Sequence, residues 1–226
     1  MLIPIVQGGV SVSVTPVAVT FVESAVSASN TDPYTFSGAS PAAGASDIVL
    51  VSVCSGSESR TINSVTVDGN TMTEVATNAG VIVLAIYQYA GSTSGSGDIV
   101  VDFTGGQGRC GIGVWTLADA SSTVSDTVTA TSSSGGISGT IDCPANGAII
   151  GIGSVRSGND SDPAEWSWTL DTENFDQQIE SGNDTSQTGA FQEFSAAQSG
   201  LTVTCTPNRS YVSGSGRLVA ASYGPV

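Results

Sequence analysis

DIVLVSVC (47–54) and GAIIGIGSVR (147–156) decide the fold. Each is an apolar run rich in β-branched residues, and each opens a block of similar order. The first block passes through IYQYAG and GDIVVDFTGG to GIGVWTLADAS, ending at Ser121. The second passes through GAFQEF and GLTVTCTPN to GRLVAASYG, ending at Gly224. Both read as an apolar strand, a Ser-rich turn, a hairpin, a long strand, a short alternating strand, a Gly-rich turn and a closing strand. A strand set repeated at a spacing of about one hundred residues implies a two-sheet β-structure made of two related halves.

Working outward, VSVSVTPVAVTFV (10–22) alternates with a period of two, and Pro16 inside it argues for an edge strand or a break. This segment has no counterpart before the second block, so it reads as an extra edge strand or as an arm that docks on another subunit. Within the first block, Asp68-Gly69-Asn70 separates SVTV from TMTEV, a strong short-range hairpin signal. Further strands are expected at AIIGIGSV, WSWTLD, NFDQQIES, GAFQEFSA, LTVTCT and RLVAASY, and no window carries an apolar period of 3.6 residues. The resulting expectation is an all-β, antiparallel, jelly-roll-like sandwich with little or no helix. It comprises an N-terminal strand or arm (1–33) and a duplicated sandwich (34–226). The halves are placed at about 47–121 and 147–224, joined by a strand-like connector (122–146) that favours one domain over two tethered ones.

Composition excludes several classes of function. The 226 residues carry a net charge of −15, with five arginines and neither lysine nor histidine. Such a surface repels nucleic acid and anionic membranes and favours solubility. The start of the chain lacks a basic region followed by a continuous apolar stretch, so no signal peptide is expected. No run reaches the length of a membrane span. Four cysteines, Cys54, Cys110, Cys143 and Cys205, are too widely spaced for a zinc site. Cys54 with Cys110, and Cys143 with Cys205, are candidate disulfide pairs; buried free thiols are the competing reading in a reducing compartment.

Chemistry is sparse. Without histidine or lysine there is no triad, imidazole metal site, Schiff base or Walker-type phosphate loop. Asp98 and Asp102 flank a short strand on one face. Asp160, Asp162 and Glu165 cluster in GNDSDPAEW, followed by Asp171 and Glu173. The loop holding Asp160 and Asp162 is the one candidate for Ca²⁺, although its spacing is not that of a known calcium loop. Trp166 and Trp168, one residue apart, share a face and form a candidate platform for a sugar ring; core packing or a subunit interface is the alternative. Trp115 belongs to an apolar strand and is assigned to the core. No catalytic residue and no cofactor site is assigned, and the chain is read as something other than an enzyme.

The strings PYTFSGAS, SRTINSVTVDGNTMTEV, SGDIVVDFTGGQGRCGIGVWTLADAS and ESGND resemble a pattern recurring in uncharacterised, sheet-rich virion and tail-associated proteins of tailed bacteriophages and prophages. The resemblance spans roughly 34–224. It implies a structural protein of the virion, assembled in the host cytoplasm: an exterior capsid decoration (cement) subunit or a head or tail fibre component. Other capsid or tail proteins would be its partners, and a homo-oligomer such as a trimer is expected. A receptor- or glycan-binding module using Trp166 and Trp168 is the alternative.

Overall fold

The computed structural model describes residues 14–27, 29–30, 32–56, 60–105, 108–157, 164–180 and 185–226. Asp160 and Asp162, the candidate calcium ligands, lie outside these residues. Within them the chain forms strands and no helix. The first half contains β1 (Ala18–Ser27), β2 (Tyr34–Phe36), β3 (Ala42–Ala43), β4 (Ile48–Ser55), β5 (Ile62–Val67), β6 (Asn70–Thr71), β7 (Thr73–Asn78), β8 (Leu84–Ala90), β9 (Thr93–Ser94), β10 (Ile99–Phe103) and β11 (Cys110–Ala118). The second contains β12 (Ala120–Ser132), β13 (Ile137–Cys143), β14 (Gly147–Arg156), β15 (Trp166–Trp168), β16 (Thr172–Glu180), β17 (Thr185–Phe194), β18 (Gln198–Pro207) and β19 (Gly216–Pro225).

These strands build four main sheets, ordered β1-β11-β4-β8-β7 and β2-β10-β5-β6 in the first half, and β12-β19-β14-β17-β16 and β13-β18-β15 in the second. The short pair β3-β9 stands apart. With that pair set aside, and β6 and β7 taken as one strand interrupted at Met72, each half has eight strands. They are wired 1-8-3-6-5 in one sheet and 2-7-4 in the other, the connectivity of a jelly roll. The halves therefore run from β1 to β11 and from β12 to β19. This corrects the boundaries drawn from the sequence. The alternating segment before the first block is β1, paired with β11 of its own sheet from Ala18↔Ala118 to Ser27↔Cys110 with one bulge between Phe21 and Glu23. Its counterpart is β12, which the sequence reading had assigned to a connector. The two halves are joined by a single residue, Asp119, at positive φ.

The sheets stack in four layers. Tyr34, Val65, Ile99 and Phe103 of the outer four-stranded sheet pack on Val49, Val51, Val53 and Ile112 of the inner sheet. The opposite face of that inner sheet, with Ile48, Leu50, Leu84, Ile86 and Leu117, packs on Ala148, Ile150, Ile152, Val219 and Tyr223 of the second inner sheet. The second inner sheet in turn covers Ile137, Ile141, Val203 and Trp166 of the outer three-stranded sheet. Both inner sheets are thus covered on both faces. This is why β4, β14 and β19 are rich in apolar residues on both faces and buried along nearly their whole length, and why β10 and β13 of the outer sheets alternate. Each fully buried leucine or isoleucine in these runs contributes about 1.5–3 kcal/mol.

The seam between the halves holds an aromatic cluster. Phe21 and Phe175 stack at 5.7 Å, and Trp115 lies 5.9 Å from Phe175. Gly113 and Gly189 make room for it: a Cβ at either would lie 2.5–2.6 Å from the Phe175 ring. The halves meet with approximate two-fold symmetry. β1 lies against β16 and β7 against β12. Cys54 donates its thiol proton to Ser154 Oγ at 3.2 Å, and Thr185, the ladder partner of Arg156, donates to the Gly56 carbonyl at 2.6 Å. The C-terminal ends of β4 and β14 therefore coincide, and the axis runs along the strands. Even a bulge is repeated: β7 skips Val75 between Glu74 and Ala76, and β16 skips Asn174 between Glu173 and Phe175.

Candidate functional site

Because the two-fold runs along the strands, equivalent connections of both halves reach the same end of the molecule, and they can be compared directly. At one end the second jelly roll uses three tight turns, 144–146, 169–171 and 195–197. The first replaces two of them with the longer 37–47 and 91–98, which contain β3 and β9, and makes the third at Asp68 and Gly69 ahead of β6. These connections converge. β3 pairs with β9, and the Ser40 amide donates to the Gly97 carbonyl at 3.0 Å. Asp68 and Gly69 both adopt positive φ and close a two-residue hairpin between Val67 and Asn70, as the Asp-Gly signal indicated.

Asp68 and Asp98 hold this cluster. Asp68 Oδ2 accepts the Ser94 amide at 2.5 Å, and Asp98 Oδ1 accepts the Gly38 amide at 3.2 Å. The Asp68 amide donates to the Asp98 carbonyl at 3.0 Å. The Ser94 hydrogen bond holds the Asp68 carboxyl below the usual carboxylate range. Gly97 is required by contact: a Cβ there would fall 1.7 Å from Asp68 Oδ1. The loops enclose an open cleft of about 670 Å³ lined by Thr66, Asp68, Gly69, Ser94, Gly97, Asp98 and Val100. Its polar lining is acceptor-rich, with hydroxyls and carboxylates and no cationic side chain. Chemically it can receive hydroxyl or amine donors.

Asp98 and Asp102, paired by the sequence, serve different networks. Asp102 accepts from Asn63 Nδ2 at 3.1 Å and does not line the cleft. Four residues along a strand separate them by roughly 13 Å, beyond the roughly 5–9.5 Å between the two carboxyls of a glycosidase.

The tryptophan pair does share a face, but that face points inward. Trp166 is 7% exposed, and Trp168 packs on the same core, donating its indole N–H to Thr188 Oγ1 at 2.9 Å. Ser167 takes the solvent side. A platform for sugar stacking is therefore not formed, because the period of two places both rings between the sheets. Trp115 is in the seam core as expected, with its indole N–H on Asn174 Oδ1 at 2.8 Å.

The four cysteines are buried and free. The disulfide expectation is corrected by register. Cys54 and Cys110 are on neighbouring strands, but Cys54 faces the seam and Cys110 the first core. Cys143 aligns with Gln198 while Cys205 aligns with Ile137, six residues along the ladder and roughly 20 Å apart. Burial pushes the Cys54 thiol up to about 12 and the Cys143 thiol to about 11, and raises Cys110 and Cys205 as well. Such thiols are poor nucleophiles.

A second acidic cluster comprises Glu165, Glu173 and Asp176. Asp176 Oδ2 accepts the Trp166 amide at 2.9 Å, and Asn208 Nδ2 donates to Glu165 Oε2 at 3.1 Å. Asp171 stands apart, bound to Gln192 Nε2 at 2.6 Å. Burial, with the charge of Asp176, pushes Glu173 up to about 7; burial also raises Asp176, against the pull of the Thr188 hydroxyl and the Trp166 amide. Among the described residues no group of three or more Cys, Asp or Glu is arranged to hold a metal ion. Sequence reasoning missed Asp68 as anything beyond a turn residue, and missed Asp176 altogether. No protein-family model matches the chain, and neither a curated protein nor a solved structure is significantly similar to it.

Proposed function

We propose that this protein is a structural subunit of a tailed-bacteriophage particle, carried on its exterior as capsid decoration or as part of a head or tail fibre. The observation that carries this reading is the two-ended, duplicated jelly roll. Two complete sandwiches are fused through a shared apolar seam. One end of the body is elaborated by first-half loops around Asp68 and Asp98. At the opposite end two connections are longer in the second half, 157–165 and 208–215 against 56–61 and 104–109, and two are longer in the first, 28–33 and 79–83 against 133–136 and 181–184. Such a body suits contact with the particle at one end and presentation at the other. The resemblance of the strings within 34–224 to phage tail-associated proteins supports the same reading, and so does an acidic composition that favours solubility at high local density. Partners are other virion proteins and further copies of the chain.

The test is quantitative mass spectrometry of density-purified particles, with copies of the chain counted against the major shell protein. Copy numbers in the range of the shell protein identify a decoration subunit, and a handful of copies identify a tail or fibre component. Absence from purified particles overturns the proposal.

A further inference from the structure

Glu173 and Asp176 are three residues apart in β16, a spacing that in a regular strand sends side chains to opposite faces. The bulge at Asn174 changes that parity. It aligns Glu173 with Ala190 and Asp176 with Thr188, both on the face of β17 that looks toward the outer three-stranded sheet. The two carboxyls are thereby brought to one face of an edge strand, where Asp176 Oδ2 reaches across to the amide of Trp166 in β15.

The other oxygen, Asp176 Oδ1, is buried and meets no donor in bonding geometry. Thr188, its cross-strand partner, accepts the Trp168 indole N–H, and its own hydroxyl pulls the Asp176 pKa down, yet Oδ1 has no partner in bonding geometry. An ionised carboxylate accepts and cannot donate, whereas a protonated one carries an O–H. Glu173 with its proton retained supplies the donor that Asp176 Oδ1 lacks. Of the described charged groups, Glu165 faces Asp176 from the residue before β15 and adds negative charge. β15 itself brings Trp166, Ser167 and Trp168, and β17 brings Thr188 and Ala190 opposite the pair, none of them charged.

We propose that Glu173 and Asp176 share one proton and form a pH-operated latch that fastens the free edge of the inner sheet, β16, to the outer strand β15. With the proton in place, Glu173 donates to Asp176 Oδ1 while Oδ2 holds the Trp166 amide. As pH rises through neutrality the proton leaves to water. Two like charges then adjoin, with Glu165 a third, Oδ1 again has no donor, and the hold on Trp166 loosens. Burial of the pair beside existing negative charge supports a proton retained up to neutral pH.

The experiment is residue-resolved NMR on the full chain from pH 5.5 to 8.5. It follows the Glu173 side-chain carboxyl carbon and the hydrogen-exchange protection of the Trp166 amide. The expected result is a Glu173 titration near neutrality and a fall in Trp166 protection of about tenfold over the same range, corresponding to one pKa unit of coupling. Glu173→Gln, whose amide donates at every pH, flattens the protection profile; Glu165→Gln leaves the step in place. Titration of Glu173 in the ordinary carboxylate range, or Trp166 protection independent of pH in the unaltered protein, overturns the latch. Because those two readouts come from the unaltered chain, the test holds even if a variant fails to fold.

Discussion

Glu74 and Glu173 occupy the same place in the two jelly rolls, each the residue before the shared bulge, yet they are held in opposite ways. Glu74 Oε2 accepts the hydroxyl of Tyr87 at 3.0 Å, so it faces a neutral donor. Glu173 faces a second carboxyl, so its charge is opposed. The backbone has kept both the position and the bulge, while the cross-strand partner, Tyr87 in one half and Ala190 in the other, has changed. Duplication conserves geometry more readily than electrostatics, and the chemistry of each half is set by the few side chains that meet at equivalent points.

The contrast between the halves can be broken most severely at the seam that joins them. Phe175→Ala removes the ring packed between Phe21, Trp115 and the two seam glycines, and should cost about 3–5 kcal/mol in denaturant unfolding. Phe103→Ala, inside the first core alone, should cost a similar amount. Only the seam variant should split the transition into two, because only it separates the halves. A single cooperative transition for Phe175→Ala would mean that the seam does not set cooperativity.

A smaller effect is expected at the elaborated end. Gly97→Ala drives a methyl group against Asp68 Oδ1 and should destabilise by about 1–3 kcal/mol. The accompanying rise in hydrogen exchange should be confined to 91–98 and the Asp68 turn. The equivalent turn of the second half, 195–197, should be unaffected.

The halves should also respond to pH in opposite senses. The folded Asp68 carboxyl sits below its ordinary value of 3.8, so its contribution is present above that value and lost as pH falls through the lower, folded one. Glu173 is raised from 4.5 to about 7, so its contribution is complete below 4.5 and is lost as pH rises toward and through 7. Exchange measured across pH should therefore show the Asp68 loops loosening in acid and the β15–β16 edge loosening above neutrality. Both regions moving together would remove the distinction. The smallest effect belongs to Tyr87→Phe, which leaves Glu74 without its hydroxyl donor and should cost about 0.5–1.5 kcal/mol in thermal or chemical melts.

How much of this was legible in advance depended on the range of the signal. The Asp68-Gly69 turn is written locally, because only residues tolerant of positive φ close a two-residue hairpin. The runs in β4 and β14 announced apolar strands; that both faces are covered emerges only from the packing, where neither face meets water. Trp166 and Trp168 were correctly placed on one face. A period of two does not say which face is covered, and the covering strands β14 and β17 are settled only by long-range pairing. The same limit hid the partner of β1: the alternation marked an edge strand, but β11 lies about ninety residues away in a ladder that local pattern does not reveal. Glu173 and Asp176 were illegible as a pair, because the bulge that unites them changes parity without a sequence mark of its own at Asn174.

The stacking of edges has a consequence for assembly. Within the two inner sheets, β1 and β7 end the first and β12 and β16 end the second, and they lie against one another as β1 with β16 and β7 with β12. The molecule thus presents two double rims on opposite sides, related by its own internal symmetry. A body with two such rims is divalent. Strand addition at one side leaves a similar acceptor at the other, so growth through the rims runs toward chains rather than closed pairs unless the two rims differ in chemistry. The Thr- and Ser-rich, half-exposed length of β12 supplies such a difference, since it offers a hydrated surface where β1 offers the exposed Val22.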